Sequence, residues 1–257
     1  MTQESRKITV VIPVHGNLSY TIGCLKSLEQ TSTPNVDEII VIDNHPSKDT
    51  ALEIFKNFPY VSVYCPKENL GVSVSWDAGI KMAKNDYVAV INNDIEMLTP
   101  NWDDVLFAEF DKDERAAIIC PWPCSSADEQ LNPENANLDG LNGSFFVVDR
   151  HSLQLTDNYK LLAQYIDHQF IRAYWEDCDL LTQVRMMGGH SWVTPKIKTV
   201  HYGNKTAGPM LPSHKGLDNP YWANLDRFNK KYNTHIWDYF RVFMSNILNE
   251  NSGERII

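Results

Sequence analysis

Residues 87–96 of this 257-residue chain read YVAVINNDIE, an apolar run that ends abruptly in two carboxamides and a carboxylate. A short, continuous apolar run of this kind is typical of a strand that is buried on both faces of a sheet. Its polar ending places Asn92, Asn93 and Asp94 directly after the last apolar residue. We therefore predict a strand over 87–91 whose polar ending lies at the carboxyl edge of an α/β sheet, where such sheets bind ligands.

The residues before this stretch repeat an alternation of short apolar runs and helical patterns. Parallel β-α-β units produce this alternation, because helices cover both faces of their sheet. The predicted fold class is therefore α/β, with a mostly parallel central sheet flanked by helices. The strands are predicted at 7–13, 38–42 and 61–64, and the helices at 18–30, 50–57 and 72–84.

The regularity weakens after residue 100, where strands, helices and polar segments follow one another without a fixed order. Gly188 and Gly189 mark the end of one helix, since glycine commonly follows a helix C-terminus. Strands are predicted at 116–120, 145–148, 191–193 and 197–202, helices at 102–110, 174–187 and 220–249, and loops at 121–138 and 203–219.

Composition and charge argue against several classes of protein. The chain is 43% hydrophobic and 22% charged, which is typical of a globular protein with a substantial core. Its net charge of −10 argues against non-specific binding to nucleic acid, which needs clustered lysine and arginine. The first apolar stretch, 8–14, is too short for a signal peptide or a membrane span, and the five scattered cysteines favour reduced thiols. Both observations predict a cytoplasmic protein.

Three polar positions carry candidate chemistry, and each has a structural alternative. The oxygen-rich cluster from Asn92 to Asp94 can hold a divalent cation that bridges a diphosphate, but Asn and Asp also cap turns. Asp177, close to Trp175, can act as a general base, but acidic residues also complement the dipole at a helix N-terminus. His201 can ligate a metal, or it can satisfy local hydrogen bonds.

Seven segments occur in an order that resembles the inverting family 2 glycosyltransferases, including rhamnosyltransferase-like members. The segments are 9–17 (TVVIPVHGN), 39–44 (IIVIDN), 68–72 (ENLGV), 87–96 (YVAVINNDIE), 141–146 (LNGSFF), 175–180 (WEDCDL) and 200–203 (VHYG). No segment is diagnostic by itself, but the ordered set is specific. The resemblance implies the GT-A fold of nucleotide-diphospho-sugar transferases, with a helical C-terminal extension.

The resemblance assigns nucleotide contacts to the loops that follow the strands. Asp43 would hydrogen-bond the base, through the imide N–H of a uracil or thymine, although such a residue also caps helices. Asn92 would lie near the ribose or the metal. The nucleotide-binding residues that it implies are Pro13, Val14, His15, Gly16, Asp43, Asn69, Gly71, Asn92 and Asn93.

The resemblance also implies which residues carry the reaction. Asp177 would be the catalytic base, and Glu176, the second catalytic residue, would shape the acceptor site together with Trp175. Gly143, Ser144 and Trp175 would line the pocket for the donor sugar or the acceptor.

A divalent cation, Mn²⁺ or Mg²⁺, is the cofactor that the resemblance implies. Asp94 would bind the cation, and His201 would complete its coordination or contact the diphosphate. Asn92 stands where the acidic motif of the family usually begins with a carboxylate, so the site has one anionic ligand fewer. The diphosphate itself would then supply much of the charge that holds the metal.

The same resemblance predicts how the chain is organised. Residues 1–98 would form the nucleotide-sugar-binding half of a GT-A domain, and residues 99–205 the acceptor-binding and catalytic half. Residues 206–257 would form a flexible lid and the helical extension, with Lys205 at the lid, although the segment 203–219 also fits an ordinary connector. Aromatic residues of the C-terminal helices are more typical of a core or a homodimer interface than of a sugar-binding platform.

The predicted function is transfer of a hexosyl or deoxyhexosyl group from a UDP- or dTDP-sugar to an acceptor hydroxyl, with inversion at the anomeric carbon. The acceptor would be a glycan, a lipid-linked sugar or another hydroxyl compound. Two alternatives also fit the residues: a non-catalytic module that binds sugar nucleotides, and a transferase acting on hydroxylated nucleic-acid bases, against which the net charge weighs. A nucleotidyltransferase of the same fold is disfavoured, because residues 14–17 contain no Lys or Arg.

Overall fold

A computed structural model describes most of the chain and provides the geometry of the predicted site. The residues described are 6–45, 47, 49–124, 126–129, 138–203 and 218–232. All five cysteines fall within these ranges and are free thiols. No helix in the ranges combines the length and the apolar character needed to cross a lipid bilayer. Lys205, most of the predicted lid and the predicted helix beyond residue 232 lie outside the described residues.

The N-terminal half of the sheet consists of parallel strands connected by helices. The strands are β1 (Ile8–Val14), β2 (Val36–Asp43), β3 (Ser62–Tyr64) and β4 (Tyr87–Ile91), and the helices are α1 (Leu18–Thr31), α2 (Asp49–Asn57) and α3 (Gly71–Met82). They pair in the order β3-β2-β1-β4. β1 is apolar because both of its faces are buried: Val10 and Ile12 pack into one core cluster, and Val11 packs into the other. The parallel β-α-β pattern is thus confirmed.

The second half of the chain extends the same sheet with strands of both orientations. Its elements are β5 (Ile95–Met97), α4 (Trp102–Phe110), β6 (Ala116–Cys124), β7 (Leu138–Asp139), β8 (Phe145–Asp149), α5 (Arg150–Leu153), α6 (Asp157–Leu162), α7 (Glu176–Met186), β9 (His190–His201) and α8 (Pro220–Tyr232). The strand order is β3-β2-β1-β4-β8-β6-β9-β5, and β7 pairs with β9. β8 is antiparallel to β4 and β6, whereas β6 and β9 are parallel. The α/β class is confirmed as one mixed sheet flanked by helices.

β6 and β9 are both longer than their apolar runs indicate. The two strands predicted after residue 190 form one strand, β9, and β6 runs to Cys124 instead of ending at residue 120. The pairing of the two strands shifts after Pro121 and skips residues 195–197 of β9. Because proline has no N–H for the ladder, an irregularity at this place lets the pairing continue beyond it.

Helix α7 begins at Glu176, two residues later than the prediction. The backbone of Tyr174 (φ 76°) and Trp175 (φ 72°) is left-handed. L-residues in this conformation cannot belong to a right-handed helix. The helix therefore starts with Glu176 and Asp177 in its first turn.

Gly79 provides a test of how α3 packs on the sheet. A Cβ at this position would overlap with Cγ1 of Val11 in β1. We expect Gly79→Ala to lower the free energy of unfolding by about 1–3 kcal/mol, as overpacking in a core does. Gly23→Ala is the matched control, because a Cβ at Gly23 of α1 meets nothing within 4 Å. The control should stabilise the protein by up to about 1 kcal/mol through helix propensity. Thermal unfolding followed by circular dichroism would measure the stability of both variants. Equal changes in stability for Gly79→Ala and Gly23→Ala would contradict the close packing at Gly79.

Candidate active site

The predicted site begins where β1 and β2 end side by side. Val14 pairs with Asp43, and the N–H of Asn44 donates a hydrogen bond of 2.8 Å to the carbonyl of Val14. After β1 the chain turns at Gly16, whose φ is 74°. A Cβ on Gly16 would lie 3.5 Å from the ring of His45, so the loop after β1 packs against the loop after β2.

Asp43 is fully buried and keeps one oxygen without a partner. Its Oδ1 accepts a hydrogen bond from the N–H of His45 at 3.1 Å, whereas Oδ2 has no partner among the described residues. Nearly all buried polar atoms are hydrogen-bonded, so an exception calls for an explanation such as a ligand. Oδ2 of Asp43 is therefore a candidate acceptor for a ligand N–H.

Asn44 holds the loop at 69–71 against these strand ends. Its Oδ1 accepts a hydrogen bond from the N–H of Leu70 at 3.0 Å. Within the loop, Oδ1 of Asn69 accepts from the N–H of Gly71 at 2.8 Å. Asn44 was not among the predicted residues, although its position directly after Asp43 was a signal for it.

Gly71 lies in direct contact with the backbone before α7. The N–H of Val72 donates to the carbonyl of Arg172 at 2.6 Å. Gly71 has a φ of 74°, and a Cβ added to it would lie 3.1 Å from the Cα and N of Arg172. This contact brings the loop at 69–71 against the backbone that leads into the predicted segment 175–180, about a hundred residues later in the chain.

The segment that leads into α7 has an unfavourable backbone conformation. Arg172, Tyr174 and Trp175 have φ values of 64°, 76° and 72°, and they are three of the six non-glycine residues with positive φ in the described chain. Each such residue costs on the order of 1–3 kcal/mol, and clusters of them are typical of functional sites. The segment ends at Glu176 and Asp177.

The carboxylate of Asp177 occupies the space where a side chain at residue 143 would begin. A Cβ at Gly143 would be 2.8 Å from Oδ2 of Asp177, so a side chain there would displace the carboxylate. The next residue, Ser144, accepts a hydrogen bond from the N–H of Asn92 at 2.8 Å through its carbonyl. Asp177, Gly143 and Ser144 are thereby joined to the polar end of β4.

Glu176 and Asp177 form a pair of carboxyl groups in an unusual electrostatic environment. Burial, followed by the charge of Asp177, raises the pKa of Glu176 to about 8. Burial also raises the pKa of Asp177, and a hydrogen bond from the N–H of Cys178 partly opposes this effect. Oε2 of Glu176 has no partner among the described residues. Carboxyl groups with raised pKa values in one site are candidates for proton transfer.

Asp94 and His201 form the predicted metal pair. β5 pairs with β9 so that Ile95 lies opposite His201, and Nε2 of His201 is 3.3 Å from Oδ1 of Asp94. The described residues contain no group of three or more His, Cys, Asp or Glu side chains that could hold a metal. Mg²⁺ is usually bound by one or two carboxylates together with substrate phosphates. The pair therefore fits a cation whose remaining ligands come from substrate and water.

Three further predicted residues, Asn93, Ser144 and Trp175, contact other parts of the protein. Asn93 is buried and donates a hydrogen bond of 3.0 Å to Oγ1 of Thr21 in α1, so a nucleotide contact by its amide would compete with this bond. Oγ of Ser144 donates to Oδ1 of Asn142 at 2.8 Å. Asn142 was not predicted, but its buried Nδ2 has no partner among the described residues and is a further candidate for ligand binding. Trp175 packs against Tyr221, with ring centroids 5.6 Å apart.

Comparison with known proteins identifies a family model that covers much of this site. The model described as "Glycosyl transferase family 2" matches residues 9–175. Glycosyltransferase GlyA of Streptococcus pneumoniae serotype 4 is 32% identical over 91 residues, which are 34% of this chain and 13% of that protein. The uncharacterized glycosyltransferase YibD of Escherichia coli K12 is 35% identical over 101 residues, which are 38% of this chain and 28% of that protein. The chain thus matches less than a third of the length of either relative.

Solved structures support the fold. A crystal structure of GalNAc-T7 with UDP, GalNAc and Mn²⁺ has a TM-score of 0.69 at 17% identity, and covers 93% of this chain and 50% of its own. The structure of Staphylococcus aureus TarS 1–349 in complex with UDP has a TM-score of 0.57 at 14% identity, and covers 76% of this chain and 60% of its own. At these identities the likeness concerns the fold alone, and the GT-A fold predicted from the sequence is confirmed.

The raised pKa of Glu176 predicts a dependence of stability on pH. The folded state keeps a proton on Glu176 up to a pH of about 8, whereas the ordinary pKa is 4.5, so stability should fall as pH rises through this window. Glu176→Gln removes this loss. We expect the variant to unfold on the order of 10 °C higher than the wild type at pH 8.5, but at a similar temperature at pH 5.

Differential scanning fluorimetry at both pH values would measure this difference. Glu68→Gln, the same change at an exposed position, is the control and should alter the unfolding temperature little. An equal effect of Glu176→Gln at pH 5 and pH 8.5 would contradict the raised pKa.

Proposed function

The chain belongs to glycosyl transferase family 2, and from this premise we propose that it is an inverting glycosyltransferase that uses a nucleoside-diphosphate sugar. The observation that carries the proposal is the position of the Asp177 carboxylate on Gly143, one residue before the Ser144 carbonyl that accepts from Asn92. A carboxylate of raised pKa therefore adjoins the polar end of β4, where an α/β sheet binds its ligand.

The donor nucleotide would bind at the ends of β1 and β2. Oδ2 of Asp43 is buried without a described partner and can accept the imide N–H of a uracil or thymine. A UDP- or dTDP-sugar carries such an N–H on its base and is the donor that we propose. The loops at 13–16 and 69–71 flank Asp43 through the contacts of His45 and Asn44, and would enclose the base and ribose.

Asp94 and His201 would hold Mn²⁺ or Mg²⁺ together with oxygens of the donor diphosphate. The pair is 3.3 Å apart and carries one carboxylate, so the diphosphate charge would contribute much of the affinity. When bound, the cation would act as a Lewis acid that neutralises the charge of the leaving nucleoside diphosphate. Asn92, two residues before Asp94 in the chain, would be an additional oxygen ligand or a ribose contact.

Asp177 would be the general base. Glu176 is buried and has a pKa of about 8, so it is protonated near neutral pH and cannot accept the proton. Asp177 is half-buried, and its raised pKa makes it a stronger base than an ordinary aspartate. Glu176 would then act as a neutral neighbour that keeps a second negative charge away from Asp177.

The reaction would be a single displacement at the anomeric carbon. The acceptor oxygen forms a bond to this carbon while the bond to the diphosphate oxygen breaks, and the leaving diphosphate takes the electron pair. The hydroxyl proton passes to Asp177 as the new bond forms. Attack from the face opposite the leaving group inverts the configuration.

The acceptor is proposed only as a class, a hydroxyl of a glycan, a lipid-linked sugar or a related compound. Two of the aromatic residues that could have formed a sugar platform, Tyr221 and Phe228, instead pack around Trp175 in a core cluster. The predicted lid with Lys205 lies mostly outside the described part of the chain, and so does the part of the C-terminal helices beyond residue 232, through which we predict a homodimer.

Asp177→Asn tests the proposed base. The change keeps the shape of the side chain but removes its ability to accept a proton, so we expect turnover to fall by about 10²- to 10⁴-fold. Release of UDP or dTDP from a panel of UDP- and dTDP-sugars would measure turnover, and calorimetry would measure UDP affinity, which should stay the same.

Asp226→Asn is the control, because Asp226 is a surface residue of α8 paired with Lys230. Normal turnover by Asp177→Asn would refute Asp177 as the base. Tight UDP binding by a wild-type protein that transfers no sugar would instead favour the non-catalytic module.

Asp94→Ala tests the proposed metal site. We expect the variant to lose the gain in UDP affinity that Mn²⁺ gives the wild type. Changing a residue that only supports a metal ligand lowers metal affinity by about 10- to 100-fold, and removing the ligand itself should cost more. Calorimetric titration of UDP in the presence of Mn²⁺, Mg²⁺ or EDTA would measure it. Asp226→Ala is the matched control. A wild-type protein that binds UDP equally well in EDTA would exclude the metal role.

A further inference from the structure

Helix α8 packs against the strained segment Ile171–Trp175. Asn224 of this helix makes polar contacts with the backbone of the segment. Asn224 is fully buried. Its Nδ2 lies 2.9 Å from the carbonyl oxygen of Ile171, 3.0 Å from that of Ala173 and 2.9 Å from that of Tyr174. Its Oδ1 accepts from the N–H of Ile171 at 3.2 Å. One side chain therefore contacts four backbone groups of the strained segment, and its two N–H donors are shared among three carbonyl oxygens.

These backbone groups need such a partner because of their conformation. Of the residues that Asn224 contacts, Tyr174 is left-handed, and Ile171 and Ala173 flank the left-handed Arg172. A segment interrupted in this way cannot form the regular hydrogen bonds of a helix or a sheet ladder. Unpaired buried carbonyl and N–H groups are costly, so a polar side chain that pairs several of them favours one arrangement of the segment. The amide of Asn224 is suited to this, since it both donates and accepts.

Helix α8 is anchored to the protein independently of Asn224. Nζ of Lys231 lies 2.7 Å from carboxylate oxygens of Asp167 and Asp179, and the hydroxyl of Tyr232 donates to Asp179 at 2.6 Å. Phe228 packs against Phe170, with ring centroids 6.4 Å apart. A change at Asn224 can therefore act on the segment while α8 stays docked.

The segment determines where the proposed base lies. It ends at Trp175, so any shift of its backbone moves the first turn of α7 and the carboxylate of Asp177 relative to Gly143. The loop at 69–71 is less dependent on the segment, because Asn44 and Asn69 hold it through separate hydrogen bonds.

We propose that Asn224 is a positioning residue that fixes the backbone of 171–175 and thereby places Asp177 for proton transfer. The structural part of this proposal stands on the contacts alone, and its kinetic consequence rests on the proposed transferase function. A misplacement of about 1 Å in a reacting group costs about 10²-fold in rate.

The test compares Asn224→Ala with Asn229→Ala. Asn229 is on the same helix, and its Oδ1 has no hydrogen-bond partner among the described residues. Hydrogen–deuterium exchange of peptides covering 170–176 would measure how stably the segment is held. Turnover of a UDP- or dTDP-sugar would measure the effect on proton transfer to Asp177, and calorimetry would measure UDP affinity. For Asn224→Ala we expect faster exchange at 170–176 and a fall in kcat of about 10²-fold, with UDP affinity nearly unchanged.

Asn224→Asp is the second variant in case Asn224→Ala does not fold. It keeps the acceptor for the N–H of Ile171 and the contact with Arg227, whose Nη1 is 2.7 Å from Oδ1, but it removes both donors. It should show the same two effects. Exchange and kcat equal to those of Asn229→Ala would overturn the proposal. If the wild type transfers no sugar, the proposed function fails, and hydrogen exchange alone tests the positioning role. Faster exchange at 170–176 in Asn224→Ala than in the wild type would support that role, and unchanged exchange would refute it.

Discussion

The backbone contact between Gly71 and Arg172 joins the two halves of the site. The N–H of Val72 donates a hydrogen bond of 2.6 Å to the Arg172 carbonyl. The two stretches of backbone lie so close that a Cβ at residue 71 would be 3.1 Å from the backbone of Arg172. Only glycine combines this close approach with a φ of 74° at little cost. Through this contact the loop at 69–71 and the segment 171–175 before α7 form one continuous surface beside the ends of the strands. We call these two stretches together the wall.

The wall depends on support from both sides, because the backbone at 172–175 is unfavourable in itself. Asn44 supports it from the sheet by holding Leu70, and Asn224 supports it from α8 by pairing with the segment. Strain of this kind persists only where the surrounding structure over-determines it. Two buried asparagines, from elements distant in sequence, thus stabilise the geometry in which Asp177 lies on Gly143.

The acidic residues at the start of α7 differ in what surrounds them. Asp179 is buried but accepts hydrogen bonds from Asn158 and Tyr232 and pairs with Lys231, so it connects α6, α7 and α8. Glu176 is also buried, and burial raises the pKa of both residues, but Oε2 of Glu176 has no described partner and the pKa of Glu176 is raised to about 8. The helix dipole favours all of these charges equally. Tertiary contacts therefore distinguish Asp179, a carboxylate that connects three helices, from Glu176, a carboxyl group that burial keeps protonated near neutral pH.

The sequence by itself determined the α/β class, the bounds of β4 and α4, and the order of the polar segments, because continuous apolar runs and helical periodicity are local properties. It also indicated most residues that line the edge of the sheet. The tertiary structure decided where α7 begins, how β9 continues past Pro195, and which contacts Asn44, Asn142 and Asn224 make around the candidate site. These features arise from contacts between residues far apart in the chain, such as Asn224 with Ala173, which leave no periodic signal in the sequence.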